Sequence, residues 1–63
     1  MDKTEFGKRL RYLRAEAGYT QEKLAELSDM STVYLGEIER GKKVVGLDKF
    51  IKLVRALDVS ADY

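Results

Sequence analysis

The stretch that decides the fold is Thr20–Gly41, TQEKLAELSDMSTVYLGEIERG. Thr20 is a good N-cap for a short helix whose apolar positions are Leu24, Ala25 and Leu27, and that helix ends near Ser28. Lys23 stands where a complete capping box would carry Glu or Gln. Asp29-Met30-Ser31 forms a brief connection, Ser31 caps a third helix carrying Leu35 and Ile38, and Gly41 closes it. A link of about three residues does not let two helices lie side by side along their whole length; it favours a steep crossing of roughly 90–120°. Close crossing needs a small residue at the contact, and Ala25 sits on the inner side of the second helix.

The directions around the third helix separate a packed side from an open one. With Leu35 taken as inward, Ile38 lies about 60° to one side and Glu39 about 40° to the other, at about 100° per residue. Val33, Glu37 and Arg40 lie about 140–160° away, with Thr32 and Gly36 on the flank. One exposed valine is ordinary on any surface. In a DNA major groove, though, the same side chain would meet a thymine methyl group. Glu39 is out of place so close to Leu35, and Arg14 has the matching oddity, about 40° from Leu10 in the first helix. A semi-buried ion pair joining these helices is expected; the alternative is two solvated charges at the rim of the core. Gly36 in mid-helix costs about 1 kcal/mol relative to alanine. It allows close approach of the backbone either to DNA or to another helix, and the sequence leaves both open.

Outward from this stretch, Phe6, Leu10, Leu13 and Ala17 make the apolar stripe of a first helix, capped by Thr4 or Asp2 and stopped by Gly18. A loop of Lys42, Lys43, Val44, Val45 and Gly46 leads into a strongly periodic fourth helix. Its apolar face is expected to hold Leu47, Phe50, Ile51, Val54 and Leu57, with Leu53 alongside. Val59-Ser60 has the pattern of a staple and cap for a fifth helix. The expected fold is all-α: a compact four- to five-helix bundle, one domain over residues 1–63, with a helix-turn-helix at 20–41.

Composition narrows the function. The chain has 63 residues and neither cysteine nor histidine. Disulfides, zinc fingers and Ser–His or Cys–His catalysis are therefore out of reach. Without such groups, and with no room for a deep pocket, the chain is expected not to be an enzyme and to carry no cofactor or metal. Apolar residues make up 44% and charged residues 37%, the balance of a globular chain. No apolar run approaches the roughly 18 residues of a membrane span, and no signal-peptide core is present, so the expected compartment is the cytoplasm. The net charge is only +1, but it is unevenly spread. Lys3, Lys8, Arg9, Arg11 and Arg14 make the first helix basic, Glu22, Glu26, Asp29, Glu37 and Glu39 make the middle acidic, and Lys42–Lys43 is basic again. The two basic segments could grip a polyanion, although a solvated surface of mixed sign fits charge alone better.

Gln21, Ala25, Leu35, Ile38, Glu39, Arg40 and Gly41 together resemble the helix-turn-helix signature of the Cro/phage-repressor class, also called the XRE family. The flanks extend the likeness, with Phe6-Gly7-Lys8-Arg9-Leu10-Arg11 and Leu13-Arg14 before the motif and Leu53, Ala56-Leu57, Val59-Ser60 and Asp62-Tyr63 after it. The resemblance implies a lambda-repressor-like DNA-binding domain whose third helix lies in the major groove. It places Thr32, Val33 and Glu37 at base-reading positions, Gln21, Arg40, Lys42 and Lys43 at phosphate contacts, and Arg14 and Glu39 in a structural ion pair. The departures are Asp29 where the family usually has glycine in the turn, and Val45 where a proline often precedes the fourth helix. The recognition face also lacks Gln, Asn or Arg for a bidentate base contact; Glu37 accepts only from cytosine or through water.

The function expected from the whole is sequence-specific binding of double-stranded DNA by a transcriptional regulator. A possible homodimer on a two-fold operator is expected to be weak over this stretch, since many relatives dimerise in or beyond a fifth helix, and the natural protein is expected to continue past Tyr63. The alternative is a protein-interaction module of the same fold, antitoxin-like or adaptor, presenting Glu22, Glu26 and Glu37 to a basic partner.

Overall fold

A computed structural model describes four helices over residues 1–58, three of them opened by a side-chain cap. α1 (Lys3–Glu16) starts at Asp2, whose carboxylate accepts the Glu5 amide at 2.8 Å, so Asp2 rather than Thr4 is the cap. α2 (Gln21–Leu27) starts at Thr20, whose hydroxyl accepts the Lys23 amide at 3.0 Å. α3 (Thr32–Glu39) starts at Ser31, whose hydroxyl accepts the Tyr34 amide at 3.0 Å. α4 (Leu47–Leu57) follows Gly46 and has no side-chain cap bond. Each of the three capping oxygens satisfies an amide that the helix itself leaves without a partner. Gly18 and Gly41 take the left-handed conformation just past α1 and α3, at φ 79° and 75°. Asp29 takes it in the turn between α2 and α3, at φ 55°. The Val59–Ser60 signal for a fifth helix lies outside the described residues.

The core is Leu10, Leu24, Ala25, Leu35, Ile38 and Leu53, edged by Phe6, Tyr19, Met30, Tyr34, Val45, Ala56 and Leu57. α3 packs against both α1 and α2, and α4 lies against α2. Gly7 is what lets α1 come this close. A Cβ there would run into the Ile38 carbonyl and come within 2.6 Å of the Glu39 carbonyl oxygen, and neither backbone group has room to move. Ala25 does the same work on α2 as expected, leaving only 2% of its surface exposed.

Several assigned core positions are not core. Leu47 is 74% and Ile51 42% exposed, Leu27 on α2 is 43% exposed, and Ala17 is an exposed cap residue of α1. The reason is contact width. α4 meets the bundle through Leu53, with Leu57 and Phe50 within about 60° of it, while Leu47 and Ile51 lie about 120–160° round the helix. The bundle, which meets α4 through α2 and through Phe6 of α1 against Phe50, covers a narrower arc than that. On the opposite flank of α4, Lys49 Nζ donates to the Asp29 carbonyl at 2.6 Å and Lys52 Nζ reaches the Asp29 carboxylate at 3.1 Å. Lys52, then Lys49, holds that carboxyl below the usual aspartate range. The turn residue that replaces glycine thus also ties the motif to α4, through exposed contacts that add little stability.

Ser28 is fully buried at the end of α2, and its hydroxyl finds no hydrogen-bond partner among the described residues. A buried hydroxyl without a partner costs more than it returns. Ser28→Ala should therefore raise stability by about 1 kcal/mol, read as a higher urea midpoint at unchanged slope. A drop in the midpoint would show that the hydroxyl is bonded in solution.

Candidate nucleic-acid interface

The eight residues of α3 make about two turns, too few to hold an orientation alone. Its C-terminal end is pinned by Glu39, whose side chain is 3% exposed. Arg14 Nε donates to Glu39 Oε2 at 2.7 Å and Nη2 to Oε1 at 3.1 Å, a two-pronged charge-assisted contact. Arg14 Nη1 donates to the Tyr19 carbonyl at 3.0 Å, and Gln21 Nε2 donates to Glu39 Oε1 at 2.9 Å. One carboxylate therefore joins α1, the start of α2 and α3. Glu39's hydrogen bonds push the Arg14 guanidinium above its ordinary pKa. The pair expected from the helical angles is present. The tie from Gln21 was not foreseen, because side chains from separate helices cannot be placed by periodicity.

With Glu39 held inside, the other side of α3 faces out. Val33 is 71% exposed, and Arg40, Lys42 and Lys43 are exposed at the C-terminal end and just beyond it. Thr32 is half-buried at the start. Glu37 is half-buried, and Lys43 Nζ lies 3.7 Å from its carboxylate, so two of the expected DNA-contacting groups meet each other first. A pair this long and this open contributes little and exchanges readily for another partner. Gln21 is half-buried, its amide nitrogen engaged by Glu39. Val33, Glu37 and Arg40 thus lie on the side of α3 away from Leu35, with Lys43 against Glu37 and with Arg40 and the Gln21 amide both bordering Gly36. The Glu37–Lys43 contact escaped the sequence reading because it depends on the path of the loop after Gly41.

This is the arrangement of a helix-turn-helix protein: two short helices across a tight turn, the second anchored from behind and open in front. A family model described as helix-turn-helix matches residues 10–63. Among solved structures, the restriction-modification controller protein C.AhdI from Aeromonas hydrophila superposes with a TM-score of 0.87 at 46% identity, covering 90% of this chain and 86% of that one. Control protein C.BamHI from Bacillus amyloliquefaciens is 40% identical over 55 residues, 86% of this chain and 68% of its own length. The HTH-type transcriptional regulator PrpR from Mycobacterium tuberculosis is 38% identical over 61 residues, 97% of this chain but 13% of its own length. The chain belongs to the helix-turn-helix family of Cro/repressor-like regulators that its motif resembles. These relatives carry regulator or control-protein names, none an enzyme's, in line with the sequence expectation. No helix among the described residues is long and apolar enough to cross a membrane.

The anchor makes a sharp stability prediction. Glu39→Ala leaves the part-buried Arg14 without its counter-charge and should cost about 3 kcal/mol, the low end for a buried pair, a large share of so small a domain's stability. Replacing both partners with apolar residues, Arg14→Met with Glu39→Leu, should recover most of that loss in urea unfolding. A loss below about 1 kcal/mol for Glu39→Ala would match a solvated pair instead.

Proposed function

We propose that residues 1–63 form the DNA-binding domain of a cytoplasmic transcriptional regulator, which recognises an operator by occupancy rather than by chemistry. α3 enters the major groove. Thr32, Val33 and Glu37 meet base edges, the valine against thymine methyl groups and the glutamate against cytosine amino groups or water. Gln21, Arg40, Lys42 and Lys43 take phosphates and so set register rather than sequence. Two such domains on a two-fold operator would read half-sites about one helical turn apart; over this stretch the homodimer is weak.

The observation that carries the reading is the exposed Val33 face of α3, flanked by Arg40, Lys42 and Lys43 while Glu39 is drawn inside. The near-neutral chain would otherwise favour a protein-interaction module, with Glu22, Glu26 and Glu37 turned to a basic partner. However, Lys43 stands beside Glu37 and Lys23 beside Glu26, so that surface is of mixed sign rather than acidic.

Affinity for duplex DNA against salt concentration tests this directly. The log–log slope should be steep, near −0.9 for each phosphate engaged. Lys42→Gln should flatten it by about one and weaken all sequences alike, whereas Val33→Ala should shift sequence preference at unchanged slope. A flat slope, or no binding to any duplex at low salt, would overturn the proposal.

A further inference from the structure

Gly36 is a glycine that its own helix disfavours, and its neighbours show what the space is used for. It lies in mid-α3, one turn before Arg40, and it is buried although it sits on the flank of the outward face. A Cβ at this position would stand 3.0 Å from Arg40 Nη1, 3.8 Å from Arg40 Cζ and 3.8 Å from Gln21 Nε2. These are the three nearest atoms, and none belongs to another helix's backbone. Gly36 therefore differs from Gly7, where the missing side chain makes room for a carbonyl. Here it makes room for the Arg40 guanidinium, with the Gln21 amide nitrogen also bordering the gap.

Both nitrogens that roof Gly36 are hydrogen-bond donors. Glu39 draws on the Gln21 amide group, and the Arg40 guanidinium has no ion-pair partner among the described residues. The guanidinium fork and the second N–H of Gln21 Nε2, the first being given to Glu39, both border the space over Gly36 and suit an anion with several oxygens.

We propose that Gly36 is a positioning residue: its lack of a side chain lets Arg40 lie against Gln21, so that the two grip one and the same backbone phosphate. The inference rests on the DNA-binding reading and adds to it that two of the expected phosphate contacts are a single clamp. A methyl group in the gap would push the guanidinium aside. Only the far end of a flexible side chain is displaced, so the fold is kept, and the helix gains a better former than glycine.

The test uses a random-sequence duplex pool as the probe. Gly36→Ala should unfold at the same or a higher temperature than the parent chain yet bind the pool roughly tenfold more weakly, the lower range for a lost charge-assisted hydrogen bond. Its salt slope should be shallower by about 0.9, one phosphate fewer. In an Arg40→Gln background, Gly36→Ala should weaken binding no further, because the two changes remove the same contact. Equal affinity and slope for Gly36→Ala and the parent would overturn the proposal. So would an equal loss in both backgrounds, since the methyl would then be acting against DNA itself. If the parent chain fails to bind the pool, the clamp falls together with the DNA-binding reading; if it binds with a steep slope and Gly36→Ala matches it, the clamp alone falls.

Discussion

The structure depends on a single buried carboxylate. Glu39 accepts from Arg14 on α1 and from Gln21 on α2, and Arg14 also holds the Tyr19 carbonyl between those helices. Helices this short are marginal by themselves, and apolar packing alone would let α3 rotate or slide by part of a turn. Hydrogen bonds to a charge do not tolerate that freedom, because their directions are fixed and a lost partner leaves a charge in a poor solvent. The net energy of such a pair is small against an apolar substitute. What it adds is one defined rotation of α3, and that rotation puts Val33 outside.

The same constraint explains why glycine appears where it does. Gly7 brings α1 onto the last turn of α3, close enough for Arg14 to reach Glu39. Gly41 turns left-handed against Thr4 and sends the chain into the Lys42–Lys43 loop. A Cβ at Gly7 or Gly41 would meet backbone, whereas at Gly36 it would meet only side chains. The first two shape the fold; the third shapes what the surface presents.

Much of this was legible in the sequence because it is local. Thr20, Ser31, Gly18 and Gly41 act within one turn of where they stand, and each appears where its chemistry placed it. The Arg14–Glu39 pair was legible for a different reason, since two charges on apolar stripes must find each other or be exposed. Other features depend on distance across the bundle. The tie from Lys49 and Lys52 to Asp29, the contact of Lys43 with Glu37 and the bond from Gln21 to Glu39 each need a relation between elements that periodicity does not contain. The exposure of Leu47 and Ile51 belongs with these, because a helical pattern shows which residues share a face but not how wide a face its neighbour covers.

If the Glu39 tie sets the outward face of α3, that face must be where DNA is felt. Backbone amide shifts recorded while duplex DNA is added to the labelled chain test this most directly. The expected result is that the largest changes fall on Thr32, Val33 and Glu37 and on Lys42 and Lys43, with Ile51 on the far side of α4 nearly still. Changes centred on α4, with the amides of α3 unmoved, would contradict it.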